Sequence, residues 1–305
     1  MSTCTSASAE LGEPVGATAA TARTWLLVEQ PGPWGPKALT ASRLDPAVGR
    51  ALDRLAEGTG VRVALIRRPG RHADLHAPSR HRVFVAHTAP GDSWVRTDTL
   101  ADPAELTELD FAALGAGSHG GFGGAYVGPP LALVCTNGRR DRCCAVHGRP
   151  LATSLAASGH AGTWEVTHLG GHRFSPTLLV LPFGYAYGRV DARVAKEALE
   201  AARSGRVALD GCRGRSFWDR PGQAADLAVR ALLGEDREGA LAVAGAVPDG
   251  PDGWTVRVAR TDGRAWDVAV SRTAAQPPRP ESCGGALGTP ARMAADRVTE
   301  VTGRS

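Results

Sequence analysis

The chain repeats one order of predicted elements, and this repeat constrains its fold more than any other feature. In each half, a short apolar run typical of a buried strand is followed by a helical pattern, three further strand-like runs and a second helix. The first half shows these elements, in this order, at residues 25–29, 45–57, 61–66, 82–87, 94–100 and 102–114. The second half shows them at residues 131–135, 143–157, 163–167, 177–182, 185–190 and 191–203. An internal repeat of this kind indicates two similar structural units in tandem.

Each predicted unit is an α/β layer of thioredoxin-like type. Two parallel strands need a crossover between them, here a helix, and the strands that follow can pair as a hairpin. We therefore predict an α/β fold with two thioredoxin-like lobes in tandem and a small C-terminal helix and β-hairpin extension. The predicted boundaries are a flexible lead-in at 1–24, an N-terminal lobe at 25–114, a glycine-rich linker at 115–128, a second lobe at 129–222, the extension at 223–275 and an irregular tail at 276–305.

Composition excludes several classes of protein. The chain has 305 residues, enough for about two domains, and its formal net charge is only +4. Its arginines are spread along the whole length instead of forming a basic stripe, so we expect no nucleic-acid partner. No apolar run approaches the ~18 residues that span a bilayer, and residues 1–24 lack the basic and apolar segments of a secretory signal. We therefore expect a cytoplasmic protein with reduced thiols and no membrane partner.

Three of the six cysteines fall in residues 135–144, which read CTNGRRDRCC. Cys135 ends an apolar strand, whereas Cys143 and Cys144 lie near the start of the following helix. A thiol at a helix N-terminus faces backbone amides that stabilise its thiolate. The intervening loop adds positive charge through Arg139, Arg140 and Arg142. The segment therefore predicts a site for anionic sulfur ligands.

Two histidines, His168 and His172, enclose a pair of glycines directly after the next predicted strand. The glycine pair favours a loop over a helix, and it lets the backbone curl so that both imidazoles can point at one position. A lone histidine is most often an ordinary polar residue. A pair in such a loop instead favours a role as metal ligands.

Together, the two segments offer enough thiolates and imidazoles for a four-ligand metal site. Their spacing matches neither a zinc finger nor the four-cysteine pattern of ordinary ferredoxins. Two cysteines and two histidines can bind Zn²⁺ or a [2Fe–2S] cluster, and the ligand types alone do not decide between these, so a binding module stabilised by zinc at the same ligands is one alternative. A thiol–disulfide oxidoreductase using Cys143 and Cys144 is a third interpretation, although the C-x-x-C spacing of such enzymes is absent.

At these residues the sequence resembles the sucrase/ferredoxin-like family of thioredoxin-like [2Fe–2S] proteins. The resemblance rests on Cys135 and Cys144 with eight residues between them, on Arg140-Asp141 within that interval, and on the segment from His168 to His172. Residues 25–29, 32–35 and 213–216 give further support. The resemblance covers about residues 25–230, which is most of the chain.

The resemblance implies a [2Fe–2S] cluster held by Cys135, Cys144, His168 and His172, with Cys143 as the reserve ligand. It implies an electron carrier more than a catalyst, and a redox partner protein, but it identifies neither that partner nor the oligomeric state. The word sucrase in the family name has no counterpart here, because no carboxylate pair stands in a motif suited to sugar hydrolysis. The other cysteines have no ligand spacing to this set, and we expect them to be incidental: Cys4, Cys212 and Cys283.

Overall fold

One ten-stranded mixed sheet contains strands from both halves of the repeat. The computed structural model describes residues 3–70 and 80–301. Within these residues the strands of the sheet are β1 (Thr24–Glu29), β2 (Val61–Arg67), β3 (His81–His87), β4 (Trp94–Leu100), β5 (Gly124–Ala125), β6 (Leu131–Cys135), β7 (Thr163–Val166), β8 (Thr177–Leu181), β9 (Tyr185–Gly188) and β10 (Cys212–Arg215). Their order across the sheet is β10-β9-β8-β6-β7-β2-β1-β3-β4-β5. The fold is therefore mixed α/β, as predicted at the level of fold class.

The pairing of the strands repeats between the two halves. β1 is parallel to β2 and antiparallel to β3, which is antiparallel to β4. In the same way, β6 is parallel to β7 and antiparallel to β8, which is antiparallel to β9. The halves meet where β2 and β7 pair antiparallel, with Ile66 opposite Val166 and Arg67 opposite Glu165. The two halves thus share one sheet, and part of the predicted linker also joins it, because β5 pairs with β4.

The helices of the described residues are α1 (Cys4–Glu10), α2 (Ala38–Ala41), α3 (Pro46–Ala56), α4 (Phe111–Gly115), α5 (Arg142–Ala157), α6 (Ala192–Arg203) and α7 (Arg220–Leu233). Short 3₁₀ helices occupy Pro103–Glu108 and His172–Phe174. The predicted starts of α3 and α6 are confirmed, because the side chains of Asp45 and Asp191 accept hydrogen bonds from the first backbone amides of these helices. None of the described helices is long and apolar enough to cross a membrane.

The helix predicted over residues 102–114 is divided in the structure. Asp102 caps the 3₁₀ helix that begins at Pro103, and Asp110 caps α4 by accepting a hydrogen bond from the Ala113 amide. Two caps eight residues apart break the segment into two short helices, since each cap fixes a new helix start.

Both faces of the central strands are buried, which explains the apolar runs seen in the sequence. Along β1, Trp25 and Leu27 pack in one core cluster, whereas Leu26 and Val28 pack in another. This alternation follows from the two-residue period of a strand. The cluster that contains Trp25 also contains Leu133, Cys135 and Cys144 from the second half, so one core joins both halves and reaches the cysteine loop.

The C-terminal region forms a second sheet, and it differs from the irregular tail predicted over 276–305. Its strands are β11 (Leu241–Pro248), β12 (Gly253–Arg260), β13 (Ala265–Ala274), β14 (Arg279–Pro280), β15 (Leu287–Gly288) and β16 (Ala291–Glu300). The order β11-β12-β13-β16 makes a four-stranded antiparallel sheet that packs on α7, while β14 and β15 pair separately. The local sequence does not predict β16, because half of its residues are polar and most are exposed; it is ordered by pairing with β13.

The N-terminal segment also differs from the flexible lead-in predicted over 1–24. Residues 4–10 form α1, and the side chains of Cys4, Ser8 and Glu13 are buried. Glu13 accepts hydrogen bonds from Arg173 at 2.9 Å and from Arg279 at 3.0 Å. The partners that order this segment lie far away in the sequence, so its local composition did not reveal them.

Candidate metal centre

Cys135 and Cys144 come from two elements that follow each other in the second half. Cys135 is the last residue of β6, and Cys144 lies in the first turn of α5. Asp141 caps this helix by accepting a hydrogen bond of 2.9 Å from the Cys143 amide. Gly148 allows the helix to approach the strand, because a Cβ there would lie 2.1 Å from the Cys135 carbonyl oxygen. Both thiols are buried at the junction.

His168 lies in the loop after β7, and His172 is the first residue of the 3₁₀ helix that follows this loop. The two glycines between them both adopt left-handed backbone conformations, with φ of +73° at Gly170 and +70° at Gly171. The centroids of the two imidazole rings are 4.7 Å apart. The loop therefore brings the two imidazoles side by side, each half-buried.

The two thiols and two imidazoles form one contiguous group. Cys144 Sγ lies 3.3 Å from His172 Nδ1. Cys144 also interacts with Cys135, which in turn interacts with the His168 imidazole. Each of the four side chains thus neighbours two others.

The thiols of Cys135 and Cys144 affect each other's pKa in opposite directions. A hydrogen bond from Cys144 lowers the pKa of the Cys135 thiol well below its ordinary value, and it outweighs burial, which acts in the opposite direction. The same contact, followed by burial, raises the pKa of the Cys144 thiol. One thiolate is therefore already stabilised. A bound metal would replace the remaining proton, because thiolates and not thiols ligate metals.

The two histidines each show a property that suits a metal ligand. Burial, and after it the neighbouring His168, lowers the pKa of His172 and so favours its neutral form. Nδ1 of His168 is buried and has no hydrogen-bond partner among the described residues. A buried polar atom of this kind is costly unless something binds it.

Asp141 lies close to the same group. A carboxylate oxygen of Asp141, Cys144 Sγ and a ring nitrogen of His172 lie within 4.8 Å of one another, so these three residues could hold a metal ion. Asp141 did not stand out as a ligand in the sequence, where it was only part of the motif between the cysteines. Its position as the cap of α5 is what brings its carboxylate to the site.

Arg213 on β10 supports the histidine loop from behind. Its side chain is buried, and it donates hydrogen bonds to the carbonyl oxygens of Gly170, at 3.0 Å, and of Thr18. A Cβ on Gly171 would lie 2.2 Å from Arg213 Nη2, so the loop can pass over the guanidinium only with glycine there. Burial lowers the pKa of Arg213 to about 9. Residues 213–216 support the family resemblance, although the sequence assigns them no role. In the structure, Arg213 positions the histidine loop.

Cys143 does not join this group. Its Sγ lies 3.0 Å from Cys283 Sγ and 3.5 Å from Cys4 Sγ, and the latter two sulfurs are 3.6 Å apart. Successive residues of a helix point about 100° apart, so Cys143 and Cys144 face different sides. The geometry therefore favours Cys144 over the reserve Cys143 as the neighbour of Cys135.

Cys4 and Cys283, which the sequence predicts to be incidental, lie beside Cys143 in the structure. They contact Cys143 although they lie near opposite ends of the chain, and no local spacing could have shown this. Cys212, by contrast, packs among apolar side chains of the second half, where burial raises its pKa to about 12.

An open groove borders the histidine loop. His168, Asn137 and Arg140 line it on the side of the metal centre, and Arg62 and Lys37 add positive charge. Asp53 of α3 and Glu57, which directly follows this helix, also line the groove. The imidazole edge of the site is thus the part that a molecule in the groove could approach.

Comparison with known proteins gives a match at the level of a family. A family model described as Sucrase/ferredoxin-like matches residues 15–214. This range contains Cys135, Cys144, His168 and His172, and it excludes Cys4 and Cys283. Searches of curated proteins and of solved structures gave no match.

Proposed function

The chain belongs to the sucrase/ferredoxin-like family, and from this premise we propose that it carries electrons on a [2Fe–2S] cluster held by Cys135, Cys144, His168 and His172. When bound, such a cluster supplies a centre that gains and loses single electrons. The chain's own residues hold it, exclude water from its sulfur ligands and set its charge environment.

The buried Nδ1 of His168 is the observation that carries this proposal. It has no hydrogen-bond partner in the described part of the chain, and it belongs to an imidazole beside a stabilised thiolate. A metal is the partner that satisfies a neutral imidazole nitrogen and a thiolate at the same time. The glycine turn and Arg213 hold the loop that carries this imidazole, so the fit is built into the backbone.

The spread of the donor atoms supports a two-iron cluster over a single zinc ion. A tetrahedral zinc ion requires four donor atoms at about 2.0–2.3 Å from one point. In the described part of the chain, the donor atoms of these four side chains do not all lie within 4.8 Å of one another. A cluster divides its ligands between two irons, so it accommodates a wider set.

The surrounding charges favour the reduced state. Arg62 and Arg213 both interact electrostatically with Cys135. Two thiolates and two neutral imidazoles would leave an oxidised cluster with little net charge, and the added electron would be stabilised by these guanidinium groups. Both effects raise the reduction potential above that of a four-thiolate cluster.

We expect the electron to pass through the histidine edge. The cysteines are buried, whereas the half-buried His168 lines the groove. Lys37, Arg62 and Arg140 on this groove suit a redox partner protein that presents acidic side chains.

The strand arrangement supports two thioredoxin-like lobes joined edge to edge. Each half has a parallel pair connected through a helix, α3 or α5, followed by an antiparallel hairpin. On this proposal the second lobe carries the cluster, and the first covers the groove side of the site.

The thiol–disulfide alternative has little support from the geometry. Cys143 and Cys144 face different groups, so they are not arranged as a reactive pair. Zinc bound to the proposed ligands is the competing interpretation. The following experiment distinguishes bound zinc from a bound cluster.

Purification without oxygen, followed by visible absorption and analysis of iron and sulfide, tests the proposal. We expect a red-brown protein with about two irons and two inorganic sulfides per chain. Cys212→Ser, a buried cysteine outside the group, is the matched control and should retain the colour. A colourless wild-type protein that holds zinc, even after reconstitution with iron and sulfide, would contradict the proposal.

A further inference from the structure

The three cysteines that lie outside the proposed cluster ligands converge at the start of α5. Cys4 comes from α1, Cys143 from the first turn of α5, and Cys283 from the segment between β14 and β15. Their sulfurs are 3.0–3.6 Å apart, and the Asp141 carboxylate oxygens lie 3.9 Å from Cys4 Sγ. We propose that Cys4, Cys143, Cys283 and Asp141 form a second metal site, a structural zinc site distinct from the cluster.

The distances between the donor atoms suit one tetrahedral zinc ion. Zinc–thiolate bonds of about 2.3 Å place tetrahedral sulfurs about 3.8 Å apart. Two of the three sulfur separations, 3.5 and 3.6 Å, are close to this value. The third, 3.0 Å between Cys143 and Cys283, is far longer than the ~2.05 Å of a disulfide and needs to open by less than about 1 Å. All four donor atoms lie within 4.8 Å of one another.

The buried negative charge at this position favours a bound cation. The Asp141 carboxylate is buried, and it accepts hydrogen bonds from the backbone amides of Cys143 at 2.9 Å and Cys283 at 2.8 Å. No arginine, lysine or histidine forms an ion pair with it among the described residues. A buried carboxylate without a counter-charge is costly, and a divalent cation removes that cost.

Binding balances in protons and charge. The three thiols release three protons to the solvent as Zn²⁺ binds, and no electron is transferred. Three thiolates, one carboxylate and Zn²⁺ carry a net charge of about −2, the same as an ordinary zinc site with four cysteines. The thiolate of Cys143 also lies at the positive end of α5.

The segments that carry these ligands are held together by contacts that do not involve sulfur. Arg173 forms ion pairs with Glu13, after α1, and with Glu281, two residues before Cys283, both at 2.9 Å. Arg279 of β14 pairs with the same Glu13 at 3.0 Å. This network brings both ends of the chain to α5, so the thiols are preorganised for a metal.

A disulfide accounts for the arrangement less well than a metal. A bond between Cys143 and Cys283 would leave the buried Asp141 carboxylate with hydrogen-bond donors such as the Cys4 thiol but without a counter-charge. Zinc uses all four groups at once. Since Cys143 and Asp141 flank the ligand Cys144, the zinc site would also tie both chain ends to the helix start that bears the cluster.

Metal analysis of the full chain tests this inference separately from the cluster. The protein is purified under reducing conditions, loaded with ZnCl₂, freed of excess metal by gel filtration, and analysed for zinc and iron by mass spectrometry. We expect about one zinc per chain. Cys283→Ser and Cys4→Ser should weaken zinc binding in chelator competition by about tenfold or more, with iron retained, whereas Cys212→Ser should leave zinc unchanged.

Cys135→Ser distinguishes failure of this inference from failure of the proposed function. It should remove iron and retain zinc, and in this cluster-free variant Co²⁺ should give the thiolate-to-cobalt charge-transfer and intense visible bands of a tetrahedral site. If Cys135→Ser instead loses the zinc and Cys283→Ser retains it, zinc occupies the proposed cluster ligands and the second site does not exist. A wild-type chain that binds no zinc, or that shows a Cys143–Cys283 disulfide when kept free of oxygen, would also overturn the inference.

Discussion

Arg67 and Glu165 form a buried ion pair of 2.8 Å at the seam between the two halves of the large sheet. They lie opposite each other in the short antiparallel pairing of β2 with β7. Glu165 also accepts a hydrogen bond of 2.8 Å from Thr136, the residue directly after Cys135. The ion pair that joins the two halves therefore also contacts the residue next to the proposed ligand Cys135.

Replacing the carboxylate of this pair should destabilise the protein strongly. Glu165→Gln leaves the Arg67 guanidinium buried without a counter-charge, and we expect the free energy of unfolding to fall by about 3–5 kcal/mol. Urea unfolding followed by circular dichroism measures the change. Glu197→Gln removes an exposed ion pair with Arg193 on α6 and should lower the free energy of unfolding far less, because solvent screens that pair. If both variants lose similar amounts of stability, the buried ion pair at the seam stabilises the fold no more than an exposed ion pair does.

The adjacent cysteines should differ in their effect on iron. Cys144→Ser or Cys135→Ser should remove the cluster or sharply reduce its occupancy, because thiolates are its principal anchors. Cys143→Ser should keep most of the visible absorption, since Cys143 Sγ faces Cys283 and Cys4. Iron content and visible spectra of the variants measure this. If Cys143→Ser bleaches the protein and Cys144→Ser does not, the assignment of the pair is reversed.

A thiolate in place of one histidine should lower the reduction potential. His172→Cys replaces a neutral ligand by an anionic one, and added negative charge disfavours the incoming electron. Redox titration of a variant that retains its cluster measures the potential. His119→Cys, which changes a histidine packed against Trp94, should leave the potential as in the wild type. An unchanged potential in His172→Cys would argue that His172 is not a ligand.

Glycine at position 171 should be needed for iron binding because the loop passes close to Arg213 there, and not only because of its backbone conformation. Gly171→Ala introduces a Cβ 2.2 Å from Arg213 Nη2, so we expect the histidine loop to shift and the iron content to fall. Gly159→Ala is the matched control, because Gly159 also has a positive φ, +83°, but has nothing within 4 Å of an added Cβ. The control should lose only about 1–2 kcal/mol of stability and keep its iron. Equal iron loss in both variants would attribute the effect to backbone strain alone.

Acid should weaken the junction between α7 and the C-terminal sheet. Hydrogen bonds from Arg237, and further contacts with Arg260, lower the pKa of Glu235 to about 2 from an ordinary value of 4.5. A lowered pKa in the folded state means that the stabilisation is complete above about pH 4.5 and is lost as the pH falls towards 2. Because Arg237 is exposed, solvent screens the pair, and we expect Glu235→Gln to cost about 1 kcal/mol at pH 7.

The measurement is urea unfolding of wild type and Glu235→Gln from pH 7 to pH 2.5. The difference between the two proteins should shrink as the pH falls. Glu200→Gln, on the exposed face of α6, is the control and should change the free energy of unfolding by less than about 0.5 kcal/mol at neutral pH. A difference that is constant over the whole range would show that the Glu235 charge does not stabilise the fold.

The local patterns of the sequence were enough to predict most strands and helices of residues 25–203. Strands such as β6 are continuous apolar runs, and helices such as α6 begin at an aspartate cap, because these signals depend only on near neighbours along the chain. The same local logic singled out the thiols of Cys135 and Cys144 and the glycine turn between His168 and His172.

Tertiary structure decided which group each cysteine faces and how the segments around Cys4 and Cys283 are ordered. Cys4 and Cys283 are separated by 279 residues, yet their sulfurs lie 3.6 Å apart beside Cys143. Ion pairs of Glu13 with Arg173 and Arg279 bring them there, and β16 is a strand because β13 offers it an edge. Such contacts leave no periodic or spacing signal in a single sequence, because their energy comes from partners that only the folded chain places side by side.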